Sequence, residues 1–195
     1  MPRKPAEGAR ERLLETASRL FYDRGVRAVG MQQIIDECGC GKSVLYREFA
    51  SKDDLVVAWL EHCRLDWACT LARVADEMPG DPAAQLVGIV RAVAEDVSAP
   101  EYRGCALRNT YAEFPERNHP AHRVSLDHVR SMRADLRRLA EQAGAADPDA
   151  LAARVMLILD GLYTNGIVLG GESAGAAVGL AEEVVRAAVP ATRTT

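Results

Sequence analysis

Lysine, long apolar runs and an export signal are the scarce or missing features of this 195-residue chain. Only three lysines, Lys4, Lys42 and Lys52, stand beside 21 arginines, and all three fall in the first third of the sequence. Apolar runs such as residues 155–159 are far shorter than the roughly 18 to 20 residues of a membrane-spanning helix. Residues 1–12 are charged and lack the apolar stretch of a secretory signal. We therefore expect a cytoplasmic protein with no membrane partner.

Cysteine is present without a pairing pattern. The five cysteines include no Cys-x-x-Cys motif, which predicts free thiols in a reducing compartment and no zinc site. Cys38 and Cys40 leave two interpretations open, a redox pair or two small apolar residues. The histidines His119, His122 and His128 also lack the spacing of a metal site.

Catalytic and cofactor motifs are missing as well. No nucleophile, metal or phosphate-binding pattern is recognisable, so we expect no enzymatic activity and no cofactor. The alternative would be a small all-α enzyme that uses Asp160, His122 or Cys105. The overall composition, 48% hydrophobic and 27% charged, is that of an ordinary globular protein rather than a disordered one.

Apolar residues recur at helical spacing along the whole chain, which predicts an all-α fold of about nine helices. Leu13, Ala17 and Leu20 form one such stripe, and Gly25 is a plausible stop signal after it. Asp81-Pro82 and Asp147-Pro148 each place an N-cap residue before a proline at the first helical position. Ser51 lies three residues ahead of Asp54, a variant of the capping box that opens a helix of about seven turns.

Two short helices with a glycine between them form the most specific pattern. Residues 31–35 and 42–49 are predicted to be helical, and Gly39 permits the tight turn that separates them. Apolar Ile34 and Leu45 would lock these helices together, so that the second helix projects its first residues outward. The outward residue types can bind phosphates, base edges and thymine methyl groups. They are Lys42, Ser43, Val44, Tyr46 and Arg47.

Residues 25–55, GVRAVGMQQIIDECGCGKSVLYREFASKDDL, resemble the DNA-binding domain of the TetR/AcrR transcriptional regulators. The matching positions are Leu20-Phe21, Gly25, Ile34, Gly39, Lys42, Leu45-Tyr46, Phe49, Ser51-Lys52 and Leu55. The resemblance implies a three-helix helix-turn-helix domain over residues 1–55 that binds double-stranded operator DNA through those five outward residues, with Tyr46 and Lys52 mainly on phosphates. Both helix N-caps are glycine here, so operator affinity is expected to rest more on Arg27, Lys42 and Lys52.

Residues 56–195 would then be the effector-binding and dimerisation domain of such a regulator. The segment 103–115 resembles a subgroup of the family, and the last two predicted helices, rich in small and apolar residues, suit a four-helix homodimer interface. Aromatic residues with sparse polar groups are typical of a small-molecule pocket. The candidates for an effector pocket are Trp59, Cys63, Trp67, Tyr102, Cys105, Asn109, Tyr111, Phe114, Met156, Asp160 and Tyr163.

These features predict a homodimeric repressor that a small-molecule effector releases from its operator. The alternative to an effector-controlled repressor is a regulator of the same fold that senses oxidants through Cys38 and Cys40.

Overall fold

The computed structural model describes residues 8–190. Within that range the chain forms nine α-helices and no strand, which confirms the predicted all-α class. A short 3₁₀ turn, Gly170–Ser173, separates the last two helices. The helices are α1 Ala9–Arg24, α2 Met31–Cys38, α3 Lys42–Glu48, α4 Lys52–Glu77, α5 Pro82–Val97, α6 Ala106–Glu113, α7 Pro120–Gln142, α8 Pro148–Leu169 and α9 Ala174–Ala188.

Capping residues begin three of these helices where the sequence predicts. The Asp81 carboxylate accepts a hydrogen bond from the Ala84 N–H at 2.9 Å, and Asp147 does the same for the residue three places on. A proline follows each cap, because its missing N–H costs nothing in the first helical turn. At the start of α4 the Ser51 hydroxyl accepts from the Asp54 N–H at 3.1 Å and donates to the Asp54 carboxylate at 2.8 Å.

The chain forms two compact units. The first contains the described residues up to Arg64 together with Ala106–Leu126, and the second contains Leu65–Cys105 and the described residues from Asp127 onward. The first unit thus combines α1, α2 and α3 with the start of α4, all of α6 and the start of α7. The predicted boundary after residue 55 lies inside α4, and the functional division of the chain stays a prediction.

The core of the first unit holds its three short N-terminal helices together. Leu20 of α1, Ile34 of α2 and Leu45 of α3 are completely buried, and α1 packs against both α2 and α3. The rings of Phe21 and Trp59 lie 5.3 Å apart, which joins α1 to the first turns of α4. Burial of each such side chain stabilises the fold by about 1.5–3 kcal/mol.

The second unit is built around α5, which packs against α8 and α9. Ile89, Val90 and Leu159 are fully buried in its core. On the α4 side of this unit, the indole nitrogen of the buried Trp67 donates to the Asp135 carboxylate at 3.0 Å, so the aromatic side chain keeps its polar end satisfied.

The stretch Pro148–Ala188 also meets a length and composition test for a membrane span. An 18-residue window within it has a mean hydropathy of 1.3, although 44% of that window is buried inside the protein. A core helix of a soluble protein passes the same test, and α8 has its neighbours in α5 and α9. A search for uninterrupted apolar runs in the sequence does not find this window, because its apolar residues are interspersed with polar ones. Taken alone, the test is weak evidence of a membrane span.

Candidate nucleic-acid interface

The turn between α2 and α3 sets the angle at which the second helix leaves the first. Gly39 has φ 66° and ψ 21°, the left-handed conformation that glycine adopts without steric cost. Its N–H donates to the carbonyl groups of the last turn of α2, which ends the helix there. Ile34 and Leu45, both completely buried, then fasten the two helices to the same core.

The exposed face of α3 carries the side chains predicted to read DNA. Lys42, Ser43, Tyr46 and Arg47 are exposed, and Val44 is half-buried at the edge of that face. Leu45 is completely buried on the opposite side, so the helix is anchored by one residue and exposes its neighbours. Five of the seven predicted DNA-binding residues therefore lie together on one short helix.

Two contacts organise the cations of this face. The Lys42 ammonium lies 5.9 Å from the centroid of the Tyr46 ring, and Tyr46 itself is 44% exposed. The Arg47 guanidinium donates to the carboxylate of its neighbour Glu48 at 2.9 and 3.0 Å. Such an exposed ion pair is weak, so Arg47 can exchange this carboxylate for a phosphate or a guanine edge.

The other two predicted DNA-binding residues lie beside the turn between α1 and α2. The Lys52 ammonium donates to the Val26 carbonyl at 2.7 Å, and burial lowers the pKa of Lys52. The Arg27 guanidinium stacks over the Phe114 ring at 4.9 Å and lies 3.4 Å from the Glu116 carboxylate. The structure thus gives both cations partners within the chain and places neither of them on α3.

Glu113, the last residue of α6, is a residue of this region that the sequence does not single out. Its carboxylate accepts from the Val26 N–H at 3.1 Å and from the Arg27 N–H at 2.8 Å. In the sequence, Glu113 belongs to the segment 103–115, which resembles a subgroup of the TetR/AcrR family and gives Glu113 no role of its own. Nothing in its composition signals a partner 86 or 87 residues away.

The predicted effector residues divide between the two units. The first unit contains Trp59, Cys63, Asn109, Tyr111 and Phe114, whereas the second contains Trp67, Tyr102, Cys105, Met156, Asp160 and Tyr163. In the first unit the Tyr111 ring lies 4.4 Å from that of the buried His122, and Phe114 stacks on His119 at 4.3 Å. Their assignment to a ligand stays a prediction.

The cysteines of the helix-turn-helix are free thiols. Burial, together with a hydrogen bond and the charge of neighbouring Cys38, raises the pKa of Cys40 to about 11. Since the thiolate is the reactive form, this environment lowers the reactivity of Cys40. Within residues 8–190 no group of three His, Cys, Asp or Glu side chains is arranged to hold a metal ion.

Comparison with known proteins identifies the family. The family model for bacterial regulatory proteins of the tetR family matches residues 13–59. The crystal structure of SCO4454, a TetR-family transcriptional regulator from Streptomyces coelicolor, superposes with a TM-score of 0.88 at 30% identity, covering 93% of this chain and 96% of that one. The chain belongs to the TetR family. A second TetR-type regulator, from Streptomyces avermitilis, is 31% identical with a TM-score of 0.81, covering 92% of this chain and 97% of that one.

Curated relatives match over a small part of the chain. The HTH-type transcriptional activator FasR of Mycolicibacterium smegmatis is 46% identical over 59 residues, which are 30% of this chain and 27% of that protein. The match thus spans about a quarter of FasR. As a TetR-family member the protein is a DNA-binding transcription regulator and belongs to a family that is not enzymatic.

Proposed function

We propose that this TetR-family protein is a homodimeric repressor whose α3 binds operator DNA and whose release is controlled by a small-molecule effector. The observation that carries the proposal is the composition of the exposed face of α3, where Lys42, Ser43, Tyr46 and Arg47 surround the buried anchor Leu45. A helix of this kind enters the major groove with its first residues toward the bases. Because operator DNA lies in the bacterial cytoplasm, the protein acts there.

Each side chain of the α3 face has chemistry that DNA can use. Lys42 and Arg47 can bind phosphates or the O6 and N7 acceptors of guanine, and Ser43 can bond a phosphate or a base edge. Tyr46 offers a hydroxyl to a phosphate oxygen, while the partly buried Val44 suits a thymine methyl group. Arg27 and Lys52 contribute to binding through the turn between α1 and α2 rather than from the recognition helix.

A mobility-shift titration on DNA flanking the protein's own gene tests this assignment. Lys42→Ala should lower affinity and make the slope of log K against log salt less negative by about 0.9, the value for one lost phosphate contact. Tyr46→Ala should also weaken the complex. Arg130→Ala is the matched control, because Arg130 is an exposed cation on α7 whose side chain is 70% accessible. Unchanged binding in both α3 variants would contradict the proposed interface.

The exposed apolar face of α8 and α9 supports a homodimer. Leu157 is 70% exposed, Val168 75% and Leu180 49%, which is unusual for large apolar side chains on a monomer. A groove of about 530 Å³ lies between these helices. A second copy is the occupant we propose, because a short recognition helix reads one half-site and two-fold symmetry supplies the other. The groove is lined by Arg154, Leu157, Ile158, Gly161, Leu162, Asn165, Ser173, Ala176, Ala177, Leu180 and Val184.

Light scattering on the purified protein tests the interface. Leu157→Glu should convert the dimer to a monomer and weaken operator binding, because it places a charge in the centre of the proposed contact. Leu65→Glu is the matched control, since Leu65 is 57% exposed on α4 and does not line the α8–α9 groove. A Leu157→Glu protein that remained dimeric would overturn the assignment of this face.

Effector response and direction of control need separate measurements. A small-molecule library can be screened for compounds that raise the melting temperature, since a ligand that binds the native state stabilises it. A true effector must also lower operator affinity, because coupling between two sites requires different affinities in the two conformers. Deletion of the gene should raise transcription from its own promoter. A fall in transcription would indicate an activator, as the relative FasR is named.

A further inference from the structure

The turn between α1 and α2 is held from outside the three N-terminal helices. After α1 ends, the N–H groups of Val26 and Arg27 lie beyond the helical hydrogen-bond pattern. Both donate to one carboxylate, that of Glu113 at the end of α6, at 3.1 and 2.8 Å. Hydrogen bonds to an ionised acceptor are about twice as strong as neutral ones, so this pair fixes the turn firmly.

Further contacts reinforce this arrangement, which we call the turn clamp: Glu113 and Lys52 on the backbone of residues 26–27. Lys52 donates to the Val26 carbonyl at 2.7 Å. Both the backbone N–H and the backbone carbonyl of Val26 are therefore hydrogen-bonded to side chains of the clamp. Glu113 and Lys52 also attract each other electrostatically. Outside the clamp, the Arg27 guanidinium covers the Phe114 ring at 4.9 Å, which adds a contact from the residue after Glu113.

Gly25 makes the close approach of Glu113 possible. Its φ of 82° and ψ of 153° lie in a region that only glycine populates readily. A Cβ built on Gly25 would lie 3.1 Å from Oε1 of Glu113, so a larger residue would push the carboxylate away. The turn therefore requires glycine at position 25 for two reasons, its positive φ and the space that the Glu113 carboxylate occupies.

We propose that Glu113 is a positioning residue for operator binding: its carboxylate fixes the turn before α2, and with it the helix-turn-helix that presents α3 to DNA. Lys52 belongs to the same clamp, and we expect its ammonium to serve the Val26 carbonyl rather than a phosphate. The inference rests on the proposed DNA-binding role of α3. It makes α6 part of the DNA-binding machinery, because the turn before α2 depends on the last residue of α6 for its two N–H bonds.

Glu113→Gln tests the clamp with little change in shape. The amide keeps one acceptor oxygen and turns an NH₂ group toward a backbone donor, so one of the two bonds is lost. We expect operator affinity to fall by roughly ten-fold, because the loosened turn must be ordered again when DNA binds, with no change in the salt slope because no phosphate contact is removed. Glu61→Gln, an exposed carboxylate on α4 of the same unit, is the matched control and should bind like wild type.

Amide hydrogen exchange gives a readout that does not depend on DNA. In free Glu113→Gln protein the amides of Val26 and Arg27 should exchange faster than in wild type, while those of α1 should not change. Affinity is measured well below the melting temperature, so a loss of stability alone would leave it unaltered. A folded Glu113→Gln protein that bound like wild type would overturn the positioning role, and unchanged exchange would overturn the clamp.

Lys52→Met provides a second variant should Glu113→Gln fold poorly. If Lys52 acts in the clamp, its replacement lowers affinity without altering the salt slope, whereas loss of a phosphate contact would reduce the slope by about 0.9. A reduced slope would refute the assignment of Lys52. If wild type formed no specific complex at all, the proposed function and the positioning role would both fail, and the exchange rates would still decide whether the clamp exists.

Discussion

Replacing Gly25 with alanine is the most informative single change in the chain. An L-residue at φ 82° and ψ 153° costs about 1–3 kcal/mol in backbone strain. The added methyl would lie 3.1 Å from Oε1 of Glu113, so the carboxylate would have to shift by a few tenths of an ångström. The loss of one of its hydrogen bonds would cost about 1.5–3 kcal/mol. Alanine also lowers the conformational entropy of the unfolded chain, which offsets about 0.4–1 kcal/mol of this destabilisation. If one bond is lost, we expect a net loss of about 1.5–6 kcal/mol.

Gly80→Ala separates the contribution of the clamp from that of strain. Gly80 also has a positive φ, 75°, but no atom lies within 4 Å of a Cβ built there. Its replacement should cost about 1–2 kcal/mol before the same offset. For a chain of this size 1 kcal/mol shifts the melting temperature by about 2–4 °C, so Gly25→Ala should lower it by roughly 3–24 °C and Gly80→Ala by about 6 °C at most.

Melting followed by circular dichroism measures both variants, and a double mutant tests the mechanism. If the methyl on Gly25 acts by displacing Glu113, then adding Glu113→Ala to Gly25→Ala should cost less than the sum of the two single changes. Equal melting temperatures for Gly25→Ala and Gly80→Ala, or strict additivity in the double mutant, would refute the reasoning.

Three further predictions concern other parts of the chain. With its pKa at about 11, Cys40 should react with iodoacetamide at pH 8 far more slowly than the exposed Cys69, and equal rates in a mass-spectrometric time course would contradict the burial of the thiol. Gly166→Ala should lower the melting temperature, because the methyl would lie 2.7 Å from the Val97 Cβ and overpacking costs about 1–3 kcal/mol; a melting temperature equal to wild type would show that α8 shifts freely. Trp67→Phe should destabilise the protein to urea by about 1–3 kcal/mol through the loss of its indole hydrogen bond, and an unchanged urea midpoint would show that this bond contributes nothing.

Local patterns predict the recognition helix because its requirements are local. A period of 3.6 residues places Leu45 inward and Lys42 and Tyr46 outward, and the structure has this arrangement. Helix starts at Asp81 and Asp147 are equally predictable, since a cap bonds an N–H only three residues away. Such features depend on short sequence separations, which a single sequence displays directly.

The partners of Lys52 and Glu113 could not be predicted in this way. A lysine near the recognition helix is expected to point its charge to solvent or phosphate, yet its long aliphatic stem allows the ammonium to reach the Val26 carbonyl instead. Glu113 binds backbone N–H groups more than 80 residues earlier in the chain, and backbone donors have no side-chain signature. The missing information is tertiary, since it depends on where α6 packs.

The turn clamp changes what counts as the DNA-binding part of the protein. A helix-turn-helix must hold α3 in a fixed orientation. The buried side chains of Ile34 and Leu45 do this within its own core. The approach to α2, however, contains two backbone donors that α1 cannot satisfy. That of the buried Val26 would cost about 1–3 kcal/mol if it had no acceptor. Glu113 supplies the acceptor, and residues 106–126 lie in one compact unit with the N-terminal helices. A displacement of α6 therefore acts directly on the backbone that precedes the recognition motif, with no intermediate element required.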